Sequence, residues 1–175
     1  MNIGLIGYGK MGQTIEKIAL AKDHNISFIV DTQKKKNSIS EIPNSKLVAT
    51  DVVIEFTQPE AVVDNLIQCS DLGLSVVTGT TGWNEHIEKI RNLAGDKIGI
   101  LYGSNFSVGV NLIFNLLKVF SDQISKSKIY DAACIETHHK WKKDSPSGTA
   151  KEICKIINEK FAGQNAEVAC CSARF

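Results

Sequence analysis

Through the first hundred residues, short apolar runs alternate with stretches whose apolar positions recur every three or four residues. That alternation predicts parallel strands joined by crossover helices. The strand candidates are Ile3 to Ile6, Ser27 to Asp31, Asp51 to Phe56, Ser75 to Thr78 and Ile98 to Tyr102. Between the first two, Met11, Ile15, Ile18, Ala19 and Lys22 fall at helical spacing and predict a single inward stripe. Pro59 suits the first turn of a second helix carrying Ala61, Val62, Leu66 and Ile67. A third helix, Asn84 to Leu93, puts Ile87, Ile90 and Leu93 on one face, and the polar stretch Thr32 to Lys46 reads as a loop.

After the fifth strand the rhythm changes. A long helix from Val108 to Ile124 is expected to turn Ile113, Leu116, Leu117, Phe120 and Ile124 inward, and Ile129 to Glu136 reads as a strand. The turn-rich HHKWKKDSPSG follows, then a helix to Phe161 with Ala150, Ile153, Cys154, Ile157 and Phe161 inward, and Val168 to Ser172 as one more strand. The expected organisation is α/β: a domain over residues 1–107 and a partial α+β domain over residues 108–175.

Composition narrows the partners. Lys+Arg 20 against Asp+Glu 19 leaves a formal charge of +1, so nucleic acid and anionic membranes, which select a basic excess, are not expected. With 43% hydrophobic residues the chain can build a core, and no run approaches the ~18 apolar residues of a membrane span. The amino terminus lacks a charged region and its apolar run is broken by Gly4, Gly7 and Gly9, unlike a signal peptide. Five scattered cysteines, Cys69, Cys134, Cys154, Cys170 and Cys171, show no CxxC spacing and read as reduced thiols in a cytoplasmic protein.

GYGKMG, residues 7–12, satisfies GxGxxG directly after a strand and at the opening of an amphipathic helix, the context that gives this pattern meaning. Gly7 suits the tight turn, Gly9 the approach of a pyrophosphate to the backbone, and Gly12 close packing of helix on strand. Tyr8, Lys10 and Met11 complete the candidate loop, whose amides at the helix start suit phosphate. Asp31 ends the second strand 19 residues after Gly12, where a carboxylate can accept from the adenosine ribose. The first domain is therefore expected to be a Rossmann domain binding NADH or NADPH. Asp31 favours NADH by repelling a 2′-phosphate, whereas Lys34, Lys35 and Lys36 can serve one or be a solvated charge run. Ligands of open α/β sheets lie at the carboxyl ends of strands, so FTQPE with Phe56, GTTG with Gly79, Thr80 and Thr81, and GSNFS with Gly103, Ser104, Asn105 and Phe106 join the cofactor set.

His138 and His139 lie among Lys140, Lys142 and Lys143, opposed only by Glu136 and Asp144. The group offers a side chain that titrates near neutrality beside anchors for an anion, and equally fits an exposed polar loop. Ser147, Gly148 and Thr149 then sit at a helix start, where amides suit a carboxylate and Thr149 with Glu152 fits a capping box. A zinc site on Cys134 and the two histidines lacks a further ligand, and no metal is expected.

These segments together resemble the dihydrodipicolinate reductase family, the 4-hydroxy-tetrahydrodipicolinate reductases of bacterial lysine biosynthesis. GYGKMG, VVIEFTQPE, VVTGTTG, GSNFSVGVN and ETHHKWKKDSPSGTA match in order and spacing from Met1 to about Phe161. The resemblance implies His138 as acid/base residue and Lys142 as proton donor, with His139, Gly148 and Thr149, beside Ser147, holding the carboxylates of a small cyclic dicarboxylate. It further implies hydride delivery to a ring carbon, protonation of the neighbouring carbon and loss of water, and a homo-oligomer for the full-length protein. Family chains extend beyond Phe175, so the second domain is expected to be partial. Two other readings remain at this point: a dinucleotide-binding module without turnover, and another small Rossmann dehydrogenase, which would leave SPSGTA unexplained.

Overall fold

The computed structural model describes residues 1–33, 38–44, 49–142, 145–161 and 167–175, in two units, Met1–Ser104 and Asn105–Phe175. The first contains β1 (Asn2–Ile6), α1 (Lys10–Ala21), β2 (Asn25–Val30), β3 (Val52–Glu55), α2 (Pro59–Asp71), β4 (Val76–Thr78), α3 (Ile87–Ala94, after a 3-10 turn at Asn84–His86) and β5 (Ile100–Tyr102). All five strands pair in parallel in the order β2-β1-β3-β4-β5, so the α/β expectation holds. The chain leaves β1 toward β2 on one side and later resumes at β3 on the other. That reversal opens a crevice between their carboxyl ends.

Strand alternation assigns each face its helix. Ile3 and Leu5 of β1 join Ile29 and Ala19 of α1 in one apolar cluster, whereas Ile6 joins Phe28, Val30, Val53, Val62 and Leu66 in the other. Val53, Val62 and Leu66 are wholly buried, and such side chains each contribute roughly 1.5–3 kcal/mol. The stripe on α1 is narrower than expected. Met11 and Ile18 are exposed, and Gly12, Ile15 and Ala19 meet the sheet, because a glycine lets the helix approach on its own side. On α3 the last inward position is Ala94 rather than the exposed Leu93. The expected loop after β2 carries an isolated parallel bridge between Val30 and Ile39; Lys34, Lys35 and Lys36 lie outside the described residues.

The second unit contains α4 (Val108–Ser125), β6 (Cys134–His138), α5 (Gly148–Phe161) and β7 (Cys170–Arg174). Strands β6 and β7 pair in parallel from Cys134↔Cys170 to His138↔Arg174. The expected strand over Ile129 to Glu136 is thereby shifted toward the carboxyl end. Pairing begins only where β7 supplies a ladder, after Lys128 takes a left-handed φ of 56°. The last strand likewise starts at Cys170 rather than Val168, whose N–H and C=O are instead held by the Asn158 carboxamide at 2.8 and 3.0 Å. Helices α4 and α5 pack together. Leu117 and Ile124 pack around Ile157, Phe161 and Val168, while Ile113, Leu116 and Phe120, expected inward, are exposed.

Candidate functional site

Parallel pairing places Val30, Ile6, Glu55, Thr78 and Tyr102 in one row across the first sheet. The residue after each strand donates its amide to the neighbouring row: Gly7 to the Val30 carbonyl (2.8 Å), Phe56 to Ile6 (2.8 Å), Gly79 to Glu55 (3.0 Å) and Gly103 to Thr78 (3.2 Å). The glycine loop and the FTQPE, GTTG and GSNFS loops therefore start level with one another on one edge.

Between the first loops lies a cleft of about 470 Å³ lined by Gly7, Tyr8, Gly9, Asp31, Phe56 and Thr57, among others. Gly7 has φ +89°, and a Cβ there would lie 2.0 Å from the Phe56 carbonyl oxygen; one on Gly12 would lie 2.2 Å from the Gly7 carbonyl oxygen. At Gly9 a Cβ would meet nothing within 4 Å. Two glycines thus close the turn and pack the helix, and the third leaves space beside the α1 amino terminus, where no side chain caps the helix. Such a cradle fits a pyrophosphate. The Asp31 carboxylate accepts from the Tyr8 amide (2.8 Å) and the Gln33 amide (2.7 Å), which fixes it at the cleft. Tyr8 faces the cleft with its main chain, since its buried ring donates its hydroxyl to Glu16, whose carboxylate, with burial, raises the phenol pKa. Lys10 and Met11 are exposed on the first turn of α1.

Beneath these loops sits a carboxylate that sequence reading passed over. Glu55 is fully buried at the end of β3 and accepts from the Thr57 amide (3.1 Å), the Thr57 hydroxyl and the Thr78 hydroxyl (2.5 Å). The Thr57 amide is shared with the Thr80 hydroxyl (2.8 Å), and the Thr80 carbonyl receives the Trp83 indole N–H (2.7 Å). These bonds join the roots of the FTQPE and GTTG loops and leave Thr81 exposed. Burial, with the Glu55 charge nearby, pushes the Cys69 thiol up to about 12. A lone acid ending the apolar run VVI was the available signal.

In the second unit, period-two alternation turns Cys134, Glu136 and His138 of β6 to one side. Glu136 is the hub: one carboxylate oxygen lies 2.8 Å from His138 Nε2, and the other accepts from the Ser147 amide (2.8 Å) and the Ser172 hydroxyl (2.5 Å). The Ser147 and Ser172 hydroxyls foremost, and then His138, hold the Glu136 carboxyl down at about 2 against the opposing effect of burial. The helix cap falls on Ser147, whose Oγ accepts from the Ala150 amide at 3.1 Å, rather than on Thr149. Gly148 and Thr149 are exposed beyond it, with open space where a Gly148 Cβ would stand.

His139 Nδ1 accepts from the Trp141 amide (3.2 Å), the Lys142 amide donates to the His139 carbonyl (3.1 Å), and the Lys140 ammonium lies 4.7 Å from the centre of the Trp141 ring. Lys143 and Asp144 lie outside the described residues. Asn105, from the GSNFS loop, accepts from the Ser107 amide at 2.8 Å and opens the second unit with the exposed Phe106, while Gly103 and Ser104 close the first. The period-two spacing of Glu136 and His138 was visible in the sequence, although the acid read there only as a counter-charge. No group of three His, Cys, Asp or Glu side chains suited to a metal ion occurs among the described residues. No helix among them is long and apolar enough to cross a membrane.

Comparison with known proteins yields matches to both halves: residues 1–106 match the family model described as dihydrodipicolinate reductase, N-terminus, and residues 109–174 the one described as dihydrodipicolinate reductase, C-terminus. The chain is 37% identical over 173 residues to 4-hydroxy-tetrahydrodipicolinate reductase of Christiangramia forsetii, covering 97% of this chain and 70% of that protein. It is 42% identical over 111 residues to the protein of the same name from Chromobacterium violaceum, covering 63% of this chain and 41% of that one. The structure of dipicolinate-bound dihydrodipicolinate reductase from Paenisporosarcina sp. TG-14 aligns with 100% of this chain and 78% of its own, with TM-score 0.77 and 21% identity, which shows a shared fold.

Proposed function

Because the chain belongs to the dihydrodipicolinate reductase family, we propose that it reduces 4-hydroxy-tetrahydrodipicolinate to tetrahydrodipicolinate, in the cytoplasm, for lysine and diaminopimelate synthesis. The supporting observation is the open cradle at Gly9, in a parallel-sheet crevice beside a fixed Asp31. The glycine loop would hold the pyrophosphate, Asp31 would accept from the ribose hydroxyls, and residues 79–81 and 103–106 would complete the cofactor site. NADH is preferred over NADPH, since a carboxylate held by two amides cannot turn away from a 2′-phosphate.

The reduced nicotinamide supplies a hydride. The chain supplies orientation and protons: Lys142 protonates the ring carbon beside the reduced one, His138 acts as acid and base, and His139 with the Gly148 and Thr149 amides holds the carboxylates. Ser147 shapes the helix start, because its amide and hydroxyl both serve the protein. The functional form is a homo-oligomer.

The test is fluorescence titration with NADH and NADPH, followed by steady-state turnover with the cyclic substrate. NADH is expected to bind more tightly, and His138→Ala and Lys142→Ala each to lower kcat by about 10²-fold or more, with Lys140→Ala near the parent. Equal and minor effects from all three would return the loop to solvated charge and leave a dinucleotide-binding module.

A further inference from the structure

We infer that Glu136 is a positioning residue that commits His138 Nε2 as a hydrogen-bond donor, so that the chemistry of His138 runs through Nδ1. The inference rests on the role proposed above for His138. A carboxylate is acceptor-only, so the 2.8 Å contact between Glu136 and His138 Nε2 requires the proton on that nitrogen. In the neutral ring the lone pair then belongs to Nδ1, the atom left to take or give a proton.

Two donors fix the carboxylate in this task. The Ser147 amide at 2.8 Å is a main-chain donor and cannot reverse, and the Ser172 hydroxyl at 2.5 Å comes from the adjacent strand. Both occupy the same oxygen, which leaves the other for the imidazole. With the Glu136 pKa at about 2, the group stays ionised at neutral pH. Because Ser147 also caps α5, one side chain sets the ring of His138 and the start of the helix proposed to hold the substrate carboxylates. Carboxylate–imidazole pairs of this kind orient rings and select tautomers in other proteins.

Glu136→Gln separates this role from simple packing. The amide oxygen can still accept from Ser147 and Ser172, and the unchangeable Ser147 N–H draws it there. The NH₂ group then faces His138 and makes Nε2 an acceptor, which moves the ring proton to Nδ1.

The experiment is long-range ¹H–¹⁵N correlation of the imidazole nitrogens in the 175-residue chain, at a pH where His138 is neutral. The parent should show the Nε2–H form, Glu136→Gln the Nδ1–H form, and Ser172→Ala the parental form. An Nδ1–H parent, which needs no variant to detect, overturns the inference, as does a Glu136→Gln ring that stays Nε2–H. Kinetics supply the second readout. Glu136→Gln should lower kcat at least tenfold with KM within about threefold, and the double variant with His138→Ala should be no slower than His138→Ala alone. Additive losses would overturn the positioning role. Parental turnover by His138→Ala would instead defeat the proposed role of His138 and leave the tautomer result to be judged separately.

Discussion

A methyl group added at Gly7 would lie 2.0 Å from the Phe56 carbonyl oxygen, on a backbone with φ +89°, whereas one added at Gly9 would meet nothing within 4 Å. The two positions therefore fail differently. Gly7→Ala should destabilise the first unit by about 1–3 kcal/mol from backbone conformation alone, with the clash in addition, as read by urea unfolding. Gly9→Val should unfold like the parent, since its φ of −75° is open to any L residue and a Cβ there meets nothing within 4 Å, yet give no NADH titration. A Gly9→Val chain that titrates normally would refute the cradle. The fingerprint was legible because glycine spacing is a local demand of the turn. Glu55 was not, because its value comes from Thr57 and Thr78, and Thr78 arrives from the next strand.

At the scale of elements, the first unit followed its alternation closely, and the departures have a common cause. Helix α4 carries apolar residues nearly all round, from Val108, Leu112 and Ile113 to Phe114, Leu117 and Phe120, so periodicity alone does not choose a face. Contact with Ile157 and Phe161 of α5 chooses Leu117 and Ile124, on the same side as the buried Phe114 and Ser121. Strand β6 likewise took its limits from β7, a partner 36 residues away. Its coupling to α5 and β7 through Glu136 makes acid stability a test. Unfolded, this carboxyl protonates near its ordinary 4.5; folded, it resists until about 2. Between those values the unfolded chain binds more protons, so stability is complete above pH 4.5 and declines as pH falls toward 2. Urea midpoints followed through NMR signals of the buried Ile156 and Ile157 should fall across that window, and less steeply in Glu136→Gln.

Taken whole, the chain has a formal charge of +1 and little electrostatic repulsion between copies. Val108, Leu112, Ile113, Leu116, Val119 and Phe120 of α4 are all more than half exposed, an apolar surface larger than scattered single residues. Sedimentation of the 175-residue chain should therefore show concentration-dependent self-association, which Leu116→Glu should weaken. A monomer at all concentrations would contradict it. Composition disclosed enough apolar material for a core; which of it stays uncovered depended on packing.

The level row of strand ends also bears on how such a site can change over time. Each loop root is fixed by an amide bonded to the adjoining strand, so one residue inserted or deleted within β3 would move Glu55 out of line with Ile6 and Thr78. Because side chains alternate faces, that slip would also bring Ile54 or Phe56 to the place of the carboxylate and turn Glu55 toward the α1 side of the sheet. Changes in length are therefore tolerated beyond the roots and excluded within the strands. Descent can lengthen the loops and retune their ligand, while the spacing from Ile3 to Gly7 and from Val52 to Phe56 is held to the residue.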